Sequence, residues 1–476
     1  MGHINPNSFA YFALLVWPVV AMVLYSRLPI ARATLWTILA GFLLLPVGAE
    51  IKFDHVPAFN KESIPSLSAL VCCTMFTGRL PKFHRGFGIA EFLLLLLFIG
   101  PFITSELNTD AIRIGETFLP GVGPYDALSA AVAQLIFILP FFLARQYLRS
   151  VENNAEILRA LVIAGLAYSL PILFEIRMSP QLHTWIYGYF PSGFGQEDRD
   201  GGWRPVVFLG HGLLVAFFAM TTTVAAAALW RTRIRIGRLA PGGVAGYLSI
   251  ILVLCKTASA LVYGAVLVPL VRWASPRLQL RVAYVLVVIA SAYPVLRIAD
   301  LVPTTSMLEV ASAVDVNRAE SLKTRFDNED QLLARAWERK WFGWGRFGRN
   351  RVYNGYMGRD SSITDGFWII TLGVFGLVGF AATFGLLCFP VFRAATALRY
   401  AQTKQEAVYL AALALIAAIN IVDLLPNSSI SAWTWLLVGA LLGRADALHA
   451  AARVRIPLRS LNISPLRVQP TSRSST

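Results

Sequence analysis

Runs of about twenty residues without a charge recur along almost the whole of this chain. A helix needs a run of that length to cross a hydrocarbon core about 30 Å thick. Inside lipid each backbone amide must find its partner within the protein, and a helix meets that demand alone. The expected fold is therefore all-α: a polytopic membrane protein of about thirteen transmembrane helices, with twelve to fourteen acceptable because the third and the last runs are short. The spans fall at about 9–25, 30–49, 64–78, 88–104, 124–143, 158–176, 205–230, 239–256, 258–273, 281–298, 363–388, 406–424 and 430–446.

Composition agrees. Only 14% of the 476 residues are charged, against about 25% in soluble domains. The net charge of +15 fits cytoplasmic loops and lipid headgroups, which gather Lys and Arg, and nucleic acid is not an expected partner. Cys72, Cys73, Cys255 and Cys388 all lie in apolar stretches without metal-ligand spacing. They read as small core residues. No metal or cofactor is expected, and no P-loop, dinucleotide fingerprint or His-Glu-x-x-His occurs. Residues 1–7 lack the basic stretch that opens a cleavable leader.

Charge in the loops orients the spans. With the N-terminus outside, the inside loops carry two to four cations each, such as Arg79, Lys82 and Arg85, or Arg231, Arg233, Arg235 and Arg238. The short outside loops mostly carry fewer, and more acid, including Glu106, Asp110, Glu175, Glu197 and Asp198. The chain then divides into 1–298 (transmembrane helices 1–10), a long outer loop 299–362, 363–446 (helices 11–13) and a basic inner tail 447–476, disordered over its last ten residues.

The long outer loop breaks the charge pattern. Counting Arg297 at its entrance, it holds eleven Lys or Arg. Long loops are weakly bound by the orientation rule, so these cations need another reason, and an anion supplies one. Acids from Glu309 to Asp330 can neutralise Arg318, Lys323 and Arg325, although Arg318 stays among the candidate anion contacts. The later cations, Arg335 through Arg359, have only Glu338 and Asp360 among them. An amphipathic helix is expected there. Asp327 or Asn328 suits its N-cap, and Glu329 and Asp330 its first turn. Leu333, Trp337 and Trp341 recur on one face, and Gly343 and Gly345 end it. It would lie on the membrane surface with its tryptophans at the interface and Arg335 and Arg339 facing a polar pocket.

Four further residues invite chemistry, each with a plainer alternative. Arg204 opens a span and either snorkels or binds an anion. His211, about two turns into that span, is a packing residue or a site residue. Lys256, in a loop of almost no length, snorkels or contacts an anion. Asp365 is a general base or the N-cap of the next helix. Asp198-Arg199-Asp200 matches the metal-binding Asp-x-Asp of many glycosyltransferases, but it lies outside, where nucleotide sugars are absent, and reads as a flexible acidic loop.

These motifs, in this order, resemble those of the bacterial O-antigen ligase and polymerase superfamily, and within it the exopolysaccharide polymerases. The local matches are Arg335-x-Trp337, Trp341 to Gly345, Thr364-Asp365-Gly366 and Leu372 to Gly379, with Arg204-Pro205 to His211 as the earlier outer motif. The resemblance implies a metal-independent glycosyltransferase of GT-C-like character in the bacterial inner membrane, N-terminus periplasmic and C-terminus cytoplasmic. It would join oligosaccharide repeat units carried on undecaprenyl diphosphate at the periplasmic face. It also implies that Arg204 and Arg335 hold the diphosphate; Arg339, Lys256 and Arg318, read from the residues themselves, are further candidate anion contacts, and Trp337 is a candidate for stacking on sugar. Ligases of the superfamily have a His where this chain has Asp365, which favours a polymerase, with Asp365 and His211 as catalytic candidates. Membrane lipids, a chain-length regulator and export machinery are the other expected partners. An O-antigen or protein O-oligosaccharide ligase, a lipid-linked sugar flippase and a structural assembly protein are the rival readings.

Overall fold

In the computed structural model, which describes residues 5–53, 56–82, 86–199, 201–314 and 316–459, each of the thirteen expected spans lies on a helix. The side chains of 314–318 and 454–459 fall outside that description, as does the tail 460–476. In chain order the helices are α1 (Ser8–Arg27), α2 (Ile30–Leu44), α3 (Ser63–Thr77), α4 (Ile89–Glu106), α5 (Pro124–Tyr147), α6 (Val151–Met178), α7 (Leu182–Tyr187) and α8 (Gly212–Arg231). They continue with α9 (Pro241–Leu254), α10 (Ala258–Trp273), α11 (Pro276–Ile298), α12 (Thr304–Val314), α13 (Val316–Trp337), α14 (Phe367–Ala397), α15 (Lys404–Asp423) and α16 (Ala432–Arg459). Among the described residues eight helices are long and apolar enough to cross a membrane: α1, α4, α5, α6, α8, α11, α14 and α15. The apolar helices α2, α3, α9 and α10 are shorter, and α9, with 14 residues, rises only about 21 Å. Several long apolar helices mark a multi-pass membrane protein. Outward side chains on the apolar helices fit lipid contact, such as Leu15, 65% exposed on α1, and Ile250, 60% exposed on α9.

The centre is built from α8 and α15, whose faces are buried almost all round. Small residues let such backbones approach closely. A Cβ on Gly165 of α6 would sit 2.7 Å from Thr222 of α8. On α16, Gly439 and Gly443 are four apart, and Cβ atoms there would meet the backbone oxygens of Phe141 and Arg145 at 2.3 and 2.5 Å. This pair is what seats α16 on α5.

Helix ends gather on two opposite faces. On one, Asn7 donates to Ile186 O, Lys61 to Phe208 O, Asn108 to Gly343 O, and Glu62 accepts from Ala432 N–H. Three short hairpins lie there: β1 (Glu50–Phe53) with β2 (Val56–Asn60), β3 (Ile112–Ile114) with β4 (Thr117–Leu119), and β5 (Asp198–Arg199) with β6 (Gly202–Trp203). This is termed the loop face. On the other, Arg32 pairs with Glu156, Arg145 with Glu91 and Asp446, and Arg444 with Glu406.

Four elements depart from expectation. The seventh span begins at Gly212 rather than 205, because residues 205–211 turn aside. Val207 has φ +47°, and Glu175 of α6 accepts from the amides of Val206 and Val207, each at 2.7 Å. The long-loop helix begins at Val316, so Asp327 and Asn328 are interior rather than capping. Glu329 and Asp330 act instead as a clamp on Arg297, at 3.3 and 2.9 Å. The buried face of α13 is Phe326, Leu332 and Ala336, while Trp337 and Trp341 are 48% and 58% exposed. Finally, α16 runs to Arg459, past the expected end at 446.

The fourth departure is in α14. Gly376 has φ 68° and ψ −170°, a conformation open to glycine and little else. The two helical bonds that would join Gly373 to Leu377 and Val374 to Val378 are replaced by four to the preceding loop. Trp344 and Gly345 donate to the oxygens of Gly373 and Val374, both at 2.9 Å. Leu377 and Val378 donate to those of Lys340 and Trp341, at 2.7 and 3.1 Å. The segment Lys340–Gly345 thus lies as a plug in a broken helix, and α4 holds it from the other side through Thr104 to Phe342 O and Asn108 to Gly343 O.

Candidate functional site

On the loop face the N-terminal ends of α8 and α14, the turn after α15 and one side of α13 enclose a cavity of about 610 Å³. Arg204, His211 and Asp365, far apart in the chain, all line it, with Arg199 and Arg325.

Arg204 is 5% exposed. It binds the fully buried carboxylate of Glu197 through Nε at 3.0 Å and Nη2 at 2.9 Å. Two donors on one carboxylate oxygen leave Nη1 as the guanidinium's open end. A lone buried arginine would be costly, and Glu197 offsets that cost while fixing the guanidinium plane. Glu197 Oε1 also accepts from Gly212 N–H at 3.3 Å, which ties the same carboxylate to the start of α8.

His211 is the N-cap of α8, not a residue two turns inside it. Its Nδ1 accepts from Leu213 N–H at 3.1 Å, so the ring proton sits on Nε2. Burial lowers its pKa, against the pull of Glu197 and with Arg204 and Arg199 acting in the same direction as burial. Burial thus favours the neutral ring. It offers an Nε2–H donor rather than a free basic nitrogen.

Asp365 is 47% exposed in its side chain and faces Arg325 of α13 at 3.7 Å. It does not cap α14; Gly366 is the N-cap. The first amide of the helix, Phe367 N–H, goes to Leu424 O and Asn427 O in the turn after α15. The carboxylate is left for the cavity. Asp423, buried at the end of α15, accepts from Asn427 Nδ2 and Ser429 Oγ at 3.0 and 2.8 Å, and so shapes the wall opposite.

The other expected contacts lie elsewhere. Arg335 does not reach this cavity. It stacks on Trp344, with Cζ 3.5 Å from the ring centre, pairs with Glu338 at 2.8 Å and donates to Arg349 O. Arg339 lies 5.1 Å from the same ring and donates to Leu107 O. Both help to hold the plug. Arg349, fully buried, pairs with Asp110 from the loop after α4, so the later cations of the long loop are less short of partners than their own stretch suggested. Trp337 points outward, under Lys340. Lys256 donates to Arg199 O at 3.2 Å and supports the β5–β6 hairpin from below. The side chain of Arg318 lies outside the described residues, as does Asp200 of the Asp-x-Asp pair.

Arg325 and Glu197 were not among the expected site residues. A signal for Arg325 was present: Ser321, Thr324, Arg325, Asn328 and Glu329 recur at helical spacing as one polar face. No protein-family model matches the chain, and no curated protein matches it. The site is therefore judged on its own geometry. It joins three guanidiniums and a neutral imidazole N–H to one half-exposed carboxylate at the end of a membrane bundle, an arrangement suited to holding a polyanion beside a proton acceptor.

Proposed function

We propose that this protein is a polymerase that joins lipid-diphosphate-linked oligosaccharide units into a polysaccharide at the outer face of a bacterial inner membrane. In this reading the chain crosses the membrane thirteen times with its N-terminus periplasmic, so that the loop face lies in the periplasm. The observation that carries the reading is the meeting of Arg204, Arg199 and the Arg325–Asp365 pair in one cavity at the loop-face end of the bundle.

In this reading the guanidiniums hold the diphosphate, which Arg suits because its planar fork meets two phosphate oxygens at once. His211 adds a neutral donor from Nε2. Asp365 accepts the proton of the acceptor hydroxyl. The hydroxyl oxygen bonds to the anomeric carbon as the bond from that carbon to the diphosphate oxygen breaks. The electron pair leaves with the diphosphate, whose charge the arginines bear, and the configuration inverts. Arg325 takes the place in the long loop that the family resemblance gives to Arg335. The helix break at Gly376, a feature of transporters, is closed by the chain's own backbone, which favours the enzyme over the flippase.

Asp365→Asn and Arg325→Gln test this, since both side chains are nearly half exposed and tolerate exchange. Loss of a general base lowers rate by about 10² to 10⁴. The expected result is normal membrane expression, loss of polymer and accumulation of single repeat units on the lipid carrier at the outer face. Unchanged polymer in both variants would sink the assignment. Units retained at the inner face would support the flippase.

A further inference from the structure

We infer that the face opposite the candidate site carries a second binding site, for the phosphate headgroup of an anionic membrane lipid, in a cavity between α4, α5, α14 and α16. The cavity holds about 620 Å³. Its floor is a buried ion-pair network. Arg145, 8% exposed at the end of α5, donates from Nη1 to Glu91 at 2.7 Å and from Nη2 to Asp446 at 3.1 Å. Arg393 donates from Nε to the other oxygen of Asp446 at 3.2 Å. The network ties four helices together and uses both carboxylates.

Two more arginines line the same cavity. Arg149 and Arg453 are exposed and have no carboxylate partner among the described residues. Four guanidiniums thus face two carboxylates, a surplus of two positive charges in a partly enclosed space. Within the floor, the Nε–H of Arg145 is buried and has no acceptor among the described residues. The uncompensated guanidiniums of Arg149 and Arg453 suit an anionic oxygen.

The rim shows what carries that anion. Phe87 and Ile89, where the chain enters α4, are 81% and 60% exposed, and both line the cavity with Phe389. A site for a free, fully hydrated anion has no use for exposed aromatic and branched side chains at its mouth. A lipid does: phosphate on the arginines, acyl chains along Phe87 and Ile89. In the orientation proposed above, this cavity opens to the cytoplasmic leaflet, where basic pockets between helices meet anionic headgroups. The site stands on its own residues and does not require the polymerase reading.

The test uses the purified full chain in detergent, with bound lipid measured by native mass spectrometry. The probes are phosphatidylglycerol and phosphatidylcholine, and the variants are Arg149→Ala/Arg453→Ala and, outside the cavity on the same face, Arg399→Ala. The parent should retain phosphatidylglycerol over phosphatidylcholine. The double variant should bind it about thirty-fold more weakly, from the worth of two cations at a headgroup, and Arg399→Ala should bind it as the parent does. Equal retention by the double variant and Arg399→Ala would overturn the site. In a further arm, inorganic phosphate at millimolar concentration is added. Release of the bound lipid would assign the cavity to a soluble phosphate and overturn the lipid assignment; retention supports it.

Discussion

Replacing Gly376 by Ala probes the plug in α14 directly. Three costs follow from the structure. The backbone at φ 68° and ψ −170° is disfavoured for any residue with a Cβ, by about 1–3 kcal/mol. The new Cβ would stand 2.3 Å from Trp341 C and 2.4 Å from Phe342 N, and backbone cannot rotate away as a side chain can. Such overpacking costs about 1–3 kcal/mol more. The alternative is to close the helix and expel Lys340–Gly345, which forfeits four buried hydrogen bonds at about 1 kcal/mol each and recovers two. It also unseats Trp344 and the Arg335 stack. The molecule takes the cheaper route, so about 2–4 kcal/mol is the expected loss. The assay is thermal unfolding in detergent with a thiol-reactive fluorophore, since all four cysteines are buried and react only on unfolding. At about 2 °C per kcal/mol for a large chain, Tm should fall by roughly 5 °C. Gly246→Ala is the control, for nothing lies within 4 Å of its would-be Cβ, and helix propensity predicts a slight rise. A Gly376→Ala protein that melts with Gly246→Ala would refute the account of the break.

Arg335→Lys keeps the charge but loses the planar stack on Trp344, so we expect a loss of about 1 kcal/mol in stability with polymer still formed by the folded protein. Abolished polymer at unchanged Tm would return Arg335 to the substrate site. His183, fully buried in α7, donates from Nδ1 to Tyr189 O at 2.8 Å and accepts from Val47 N–H, and burial lowers its pKa to about 4. The unfolded chain takes up a proton near pH 6.5 and the folded one does not until about 4. Stability should therefore fall as pH drops through that window, by about 3 kcal/mol at most. His183→Gln should flatten that part of the profile of Tm against pH, and an unflattened profile would refute the assignment.

The helices could be read from the sequence because lipid leaves a long apolar run few alternatives. Arg204, His211 and Asp365, picked out from the sequence, do line one cavity. What could not be read was pairing at a distance. Arg349 looked short of a counter-charge because Asp110 lies 239 residues away. Glu329 and Asp330 looked like first-turn acids because a capping signal and a clamp on Arg297 are the same residues. Leu333, Trp337 and Trp341 share a helical face, yet the bundle packs on Phe326, Leu332 and Ala336, since α13 sits against α14 and not flat on the membrane. A glycine within an apolar run announces neither a break nor the segment that fills it.

The break also sets a height. From Leu377 to Ala397 the helix has 21 residues, which rise about 32 Å if untilted, one hydrocarbon thickness. The nine residues above, Phe367 to Phe375, stand about 14 Å higher. A hydrocarbon layer matched to that length would end level with the plug, where the exposed Trp337 and Trp341 suit an aromatic belt.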